Sequence, residues 1–290
     1  MTKKYLIGLI VVLALVIFLL SKVFAGALVL SPELSLGSWS IRWYGLCMAL
    51  AVFAGYVIAQ KRRVLYGFES EKVDLILFWV VVSGFLGARA YHIASDLSYY
   101  RANMLEVFQV WHGGLSIYGA LIGGLIGLSI FSYKQYSKSE WLKMLGKTLD
   151  WLVPSVLVGQ IIGRFGNFFN YELFGYPTNL PWKMFVPEQF RSPGYFVSEY
   201  FHPLFLYEAL INALILIILL KFVGSKARPG HLFLWYVLLY NTGRFFLEFL
   251  RIDAVFWQGL RINAGVSALL VLVSGIVLII LHARKTSQNS

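Results

Sequence analysis

The chain has 290 residues, 59% of them hydrophobic and 13% charged, with one cysteine, Cys47, and a formal net charge of +11. A soluble domain carries about a quarter charged residues and must still face water, so a soluble enzyme, a disordered chain and a disulfide scaffold are excluded. The length accommodates about seven or eight membrane spans of roughly 20 residues with short loops.

Taken in chain order, uncharged stretches run over Tyr5–Ser21, Trp43–Gln60, Leu75–Ala88, Gly113–Tyr133, Trp151–Gly163, Ala209–Leu220, Leu232–Gly243 and Ile262–Leu281. None alternates as the strands of a membrane barrel do, and all predict helices, which close their own backbone hydrogen bonds in lipid. Several fall short of the roughly 18 residues that a span prefers. Each short run becomes long enough only by taking in Arg89, Arg164, Glu208 or Arg244. At the N-terminus, Lys3–Lys4, an apolar run and Val23-Phe24-Ala25 are compatible with a signal peptide or with an uncleaved helix. The helix is preferred because the run is long for a signal core and continues to Leu30 after one lysine.

The basic residues orient the chain. With Lys3–Lys4 inside, alternation also puts Lys61, Arg62, Arg63, Lys72, Lys134, Lys138, Lys143, Lys147, Lys221, Lys226, Arg228, Arg284 and Lys285 inside. That is fifteen of the 25 Lys and Arg, the positive-inside bias. Much of the positive charge therefore faces anionic lipid, and no nucleic-acid partner is implied.

In this topology Arg89, Arg164 and Arg244 lie near the outer ends of outgoing helices. Tyr44, Tyr118, His202 and Glu208 lie near the outer starts of returning ones. An arginine inside a span costs at least a few kcal/mol on insertion scales. Three at one depth want an anion, supplied by Glu208, Glu172 and Glu248 or by a lipid headgroup. Salt bridging between helices or snorkelling is the plain structural alternative. The outer segment 171–201 holds four of the eight prolines and ten aromatics, which reads as a small cap at the headgroup level.

The string Gly163-Arg164-Phe165-Gly166-Asn167-Phe168-Phe169-Asn170-Tyr171-Glu172 is the most informative in the chain. Its glycines permit close helix approach. Its guanidinium fork matches phosphate oxygens, and its amides suit glycerol hydroxyls. On these grounds alone two classes stay open, a lipid-modifying enzyme and a transporter for an anionic solute. A transporter would tend to show paired repeats, which the sequence lacks.

The string, with Gly175, resembles the signature G-R-x-G-N-F-x-N-x-E-x-x-G of the bacterial prolipoprotein diacylglyceryl transferases. Further segments match in the same order: Trp43-Tyr44-Gly45-Leu46, Gly87-Ala88-Arg89, Trp111-His112-Gly113-Gly114 through Tyr118-Gly119, His202-Pro203 with Tyr207-Glu208, and Arg244 through Glu248 to Arg251. The resemblance covers residues 40–285. It implies an all-α polytopic membrane protein of about seven family-like helices, here with an additional N-terminal helix over 1–30, the cap at 171–201 and a cytoplasmic tail at 286–290. It implies transfer of the diacylglyceryl group of phosphatidylglycerol to the lipobox cysteine of prolipoproteins, with release of glycerol 1-phosphate, in the bacterial inner membrane. The active site then faces the outer leaflet, and no metal or cofactor is required.

Arg164, Arg244 and Tyr118 are the catalytic candidates. Tyr44, Arg89, Asn167, Asn170, Glu172, Gly175 and Glu248 join Arg164 as phosphatidylglycerol-binding candidates, and His202, Glu208 and Arg251 line the site. The chain departs from the commonest family pattern at Tyr118-Gly119-Ala120, where many relatives have His-Gly-Gly. It also departs at Leu204-Phe205, and at Asn263-Ala264-Gly265, where the family's glutamine is absent. Cys47 reads as a packing residue and His112 as a headgroup or water contact. His231 and His282 read as solvated, and the Gly119, Gly123, Gly124, Gly127 series as a helix-packing surface.

Overall fold

Lipid leaves a backbone no solvent partner, so the chain closes its hydrogen bonds in helices, and charged residues are drawn in where apolar runs are short. The computed structural model describes residues 3–37, 39–223 and 228–288. Lys226, residues 1–2 and 289–290, and the side chains of Lys3, Lys4, Trp111, Arg284 and Lys285 lie outside the described set. The helices are α1 (Lys3–Phe24), α2 (Trp43–Arg62), α3 (Ser70–Ser95), α4 (Leu97–Ala102), α5 (Ile117–Gln135), α6 (Trp141–Phe169), α7 (Leu204–Ile218), α8 (His231–Glu248) and α9 (Ile262–Gln288). As expected, α3 takes in Arg89, α6 takes in Arg164, α7 takes in Glu208 and α8 takes in Arg244.

Among the described residues six helices are long and apolar enough to cross a membrane: α2, α3, α5, α6, α7 and α9, two of them lengthened by a following turn. The chain is a multi-pass membrane protein of all-α class. Three two-stranded antiparallel ribbons link helices: β1 (Glu33–Leu36) with β2 (Trp39–Arg42), β3 (Met184–Phe185) with β4 (Tyr200–Phe201), and β5 (Phe256–Trp257) with β6 (Leu260–Arg261). Their registers pair Glu33 with Arg42, Met184 with Phe201 and Phe256 with Arg261.

The chain divides into two compact units. The first comprises Met1–Gly55, Val156–Lys221 and Leu234–Ser290, and the second Tyr56–Ser155 and Phe222–Phe233.

The core of the first unit gathers Val23, Phe168, Tyr171, Phe174, Met184, Val186, Phe201 and Phe205. The end of α1 thus packs with the end of α6, the 171–201 segment and the start of α7. Gly26 (φ +75°) ends α1 in the left-handed conformation that glycine adopts without penalty. The Tyr171 hydroxyl accepts from the Leu30 amide (2.9 Å) and donates to the Leu30 carbonyl (3.2 Å), and its ring stacks on Phe190 at 4.9 Å. The 171–201 segment is therefore anchored on its own aromatics, in keeping with its composition.

In the second unit α3 and α5 cross at backbone contact. A Cβ on Gly87 would lie 2.7 Å from Gly123 Cα, and one on Gly119 would lie 2.9 Å from Ala88 Cα. Small residues at this spacing let helices approach closely enough for dispersion to hold them, as the glycine series predicts. The core beneath is built on Trp151, whose indole N–H donates to the Ala59 carbonyl (2.9 Å) and whose ring meets Phe68 at 5.3 Å. Asp150, buried, accepts from the backbone amides of Gly230 (2.7 Å) and Phe233 (2.8 Å), capping the start of α8 from α6.

Candidate active site

Helical spacing builds the site in the first unit. On α6, Gln160 and Arg164 are four residues apart. On α8, Tyr236, Tyr240, Arg244 and Glu248 repeat at the same interval, and on α7 Glu208 and Asn212 do so. Residues so spaced share one helix face. Each helix therefore carries a polar stripe inside an apolar chain, and these stripes meet.

Glu208, 4% exposed, takes one arginine on each carboxylate oxygen: Arg164 Nη2 on Oε2 at 2.5 Å, and Arg244 Nη1 on Oε1. Arg244 also reaches Glu248 through Nη2 (3.4 Å). Glu248 is fully buried and accepts from Asn263 Nδ2 (3.1 Å), with Arg251 Nη1 at 3.9 Å. Arg251 is chiefly held by Asp253, with Nε on Oδ1 at 2.9 Å and Nη2 on Oδ2 at 2.6 Å. Partial burial alone would push the Asp253 carboxyl up, but the Arg251 hydrogen bonds and charge outweigh it and hold the group below the usual carboxylate range.

The signature string extends this network outward. Arg164 Nη1 donates to Asn167 Oδ1 (3.2 Å), and Asn167 Nδ2 and Asn170 Nδ2 each donate to a different oxygen of Glu172 (3.2 Å). Glu172 turns back toward the amides because the chain reverses sharply after α6. Tyr171 (φ 53°) and Leu173 (φ 57°) on either side both adopt the left-handed conformation, uncommon for bulky residues and strained by about 1–3 kcal/mol each. Gly166 lets the Tyr44 ring lie against α6, since a Cβ there would sit 2.8 Å from Tyr44 Cδ2. Gly175 is fixed by packing: its amide donates to the His202 carbonyl (2.9 Å), and a Cβ would meet the Leu250 carbonyl at 2.6 Å.

His202 stands beside a second hydrogen-bonded group. Trp182 Nε1 donates to the Tyr207 hydroxyl (2.7 Å), which shares a hydrogen bond with His202 Nδ1 (3.1 Å). With its oxygen already accepting, Tyr207 has its proton available for a neutral imidazole. Burial lowers the His202 pKa in the same direction.

The second unit holds the remaining candidates. Arg89, 7% exposed, spends its guanidinium on loop carbonyls: Nε on Val107 (3.0 Å), Nη1 on Gly113 (2.8 Å) and Gly114 (3.0 Å), and Nη2 on Glu106. It also lies over the Tyr100 ring at 5.2 Å. These contacts make Arg89 a clasp for the 106–114 loop. His112 Nδ1 pairs with the Glu106 carboxylate at 3.1 Å. Tyr118 is half-exposed and its ring faces Tyr91 at 6.3 Å.

Residues 33–281 match the sequence profile described as prolipoprotein diacylglyceryl transferase. Three similar relatives are each named phosphatidylglycerol–prolipoprotein diacylglyceryl transferase. That of Fervidobacterium nodosum is 37% identical, covering 94% of this chain and 93% of its own. That of Thermosynechococcus vestitus is 39% identical over 81% and 86%, and that of Thermotoga maritima 37% over 93% and 92%. The chain belongs to the prolipoprotein diacylglyceryl transferase family. Nothing in these matches supports the transporter reading.

Membership in the transferase family gives the polar stripes a chemical context that the apolar runs obscured. Gln160, Asn212, Tyr236 and Tyr240 were not singled out from the sequence. Gln160 Nε2 donates to the Tyr236 hydroxyl (2.8 Å), and Tyr236 stacks on Tyr240 at 5.7 Å. Their signal was spacing: each lies four residues from an arginine or glutamate or from the next member of the stripe. Asn263, read as the place where the family's glutamine is missing, supplies a carboxamide donor to Glu248.

Proposed function

We propose that the chain transfers the diacylglyceryl group of phosphatidylglycerol to the cysteine thiol of a prolipoprotein lipobox, with Arg164 and Arg244 holding the phosphate. The supporting observation is that both guanidiniums converge on the two oxygens of one buried carboxylate, Glu208. Two forks aimed at one small anion are suited to a phosphodiester, whose non-bridging oxygens present a similar pair of acceptors.

In the reaction the cysteine sulfur attacks the glycerol carbon bonded to the phosphate oxygen. A carbon–sulfur bond forms, the carbon–oxygen bond breaks with its electron pair leaving on glycerol 1-phosphate, and the thiol proton ends on the released phosphate. Negative charge grows on the leaving phosphate as this happens. Cations fixed in a dry site stabilise that growth strongly because they need no reorganisation. Their field also favours the thiolate, the reactive form of the nucleophile. Asn167, Asn170 and Glu172 are placed to bind the headgroup glycerol, with Tyr44 packed beside them. Glu248, Arg251 and Gly175 shape and hold the site from behind, and His202 lines it. Arg89 positions the 106–114 loop instead of binding lipid.

The placement follows the positive-inside residues, which put the arginine-bearing helix ends toward the outer leaflet of the bacterial inner membrane and the C-terminus in the cytoplasm. The α1 segment belongs to the working protein, because Val23 is 3% exposed within the core of the first unit.

Purified variants with phosphatidylglycerol and a lipobox peptide test this reading. Arg164→Ala and Arg244→Ala are each expected to lower glycerol phosphate release by at least about a hundredfold while the protein remains inserted. Undiminished release by both overturns the assignment. Tyr118→Phe in the same assay decides whether that hydroxyl takes part.

A further inference from the structure

Asn212 is 1% exposed on α7, one turn beyond Glu208, and its Nδ2 has no hydrogen-bond partner among the described residues. A buried amide donor left unsatisfied is costly, and folded proteins meet such groups with ordered water where space allows. Here space allows it. A cavity of about 10 Å³ is lined by Glu208, Asn212, Tyr240, Gly243 and Arg244. One water needs roughly that volume, with two to four polar partners.

The chemistry of the lining is complementary. The amide nitrogen of Asn212 can only donate, whereas an ionised carboxylate can only accept and has about four acceptor sites. Arg244 hydrogen-bonds Oε1 of Glu208, whereas Oε2, ion-paired with Arg164, has no hydrogen-bond donor among the described residues. Further lone pairs remain for a donor arriving from the cavity side. A water accepting from Asn212 and donating to Glu208 and to the Tyr240 oxygen meets every requirement at once.

We propose that this cavity binds a single water, and that Asn212 is a positioning residue which uses it to fix the Glu208 carboxylate, and through it the two arginines. The proposal rests on the phosphate-holding role of Arg164 and Arg244 given above. Its reach is orientation: a carboxylate free to turn would let both guanidiniums drift from a common anion, and catalysis is sensitive to such displacements.

Two measurements on the full-length protein decide it. An experimental structure of the wild-type protein in a lipid phase, at a resolution that reveals ordered water, is expected to show density in the cavity. Asn212→Leu is expected to lose that density. Turnover of phosphatidylglycerol by Asn212→Leu should fall about tenfold in kcat with KM within about twofold, and Asn212→Ser, which keeps a donor, should recover most of the rate. A merely structural asparagine behaves differently, since an apolar residue of similar volume there leaves stability equal or higher and kcat unmoved. Absence of water density in the wild type, or wild-type turnover by folded Asn212→Leu, overturns the proposal. Full activity in both Arg164→Ala and Arg244→Ala would instead overturn the phosphate role and leave the water site standing on its density.

Discussion

Arg89 in the second unit, buried, and the Arg164–Arg244 pair in the first, partly buried, are drawn from the same residue type, yet they are neutralised in opposite ways. The Arg89 hydrogen bonds among the described residues go to four carbonyl oxygens, all from one loop. Arg164 and Arg244 meet a carboxylate that they share. Carbonyls belong to the backbone, so a guanidinium that holds them holds the path of the chain. A carboxylate is a discrete anion, and under the proposed function the forks that grip it would receive a phosphate of similar shape. The identity of the acceptors, backbone carbonyls for Arg89 and a shared carboxylate for Arg164 and Arg244, is what distinguishes the two arrangements.

The largest effect expected from this contrast is a non-additive one. Glu208 keeps one partner in Arg164→Ala or in Arg244→Ala, so each single variant should lose about 1–2 kcal/mol of stability. The double variant leaves a buried carboxylate alone and should lose about 3–5 kcal/mol beyond the sum. Denaturation of the purified single and double variants in detergent measures this coupling, and simple additivity would break the picture of a shared anion.

Arg89→Ala should come next, at about 3 kcal/mol, because four carbonyls lose their donor together. Its distinguishing sign is local: limited proteolysis should open the 103–116 segment first, and Arg89→Lys, a single ammonium in place of a fork, should restore only part of the protection. Equal protection in all three proteins would remove the clasp.

The smallest effect concerns His202. Burial holds its pKa below the usual value of 6.5, so the folded state prefers the neutral ring. That contribution is fully present above pH 6.5 and is lost as pH falls from 6.5 through the folded pKa. Wild-type stability should thus decline on acidification in this window relative to His202→Gln. A difference that stays constant from pH 7.5 to 5.5 would show that the ring does not titrate on folding.

Much of the architecture was legible because membrane insertion is governed by composition along the chain. The helices, the charged residues they absorb and the glycine face of α5 against α3 all follow from run length and spacing. Partner choice was less legible. That Glu208 serves two arginines, or that Arg251 turns to Asp253, depends on how each helix is rotated and where a loop returns, which no linear pattern encodes. The left-handed Tyr171 and Leu173 were hidden for a related reason. Their strain is held by the tertiary packing of the 171–201 segment, and neither residue type announces it.

The helix end at Ala25 has a consequence for processing. Val23-Phe24-Ala25 has the small-residue spacing that a signal peptidase recognises, and proteases read extended backbone. Here the Ala25 amide bonds to the Ser21 carbonyl, the Ala27 amide reaches back to Lys22, and the Ala25 carbonyl accepts from the Tyr200 hydroxyl (3.3 Å). Once these bonds close, the segment is no longer a substrate in shape, whatever its letters say. The end of the first helix is thereby tied to Tyr200, 175 positions further along the chain, so the two segments must meet before that end is closed.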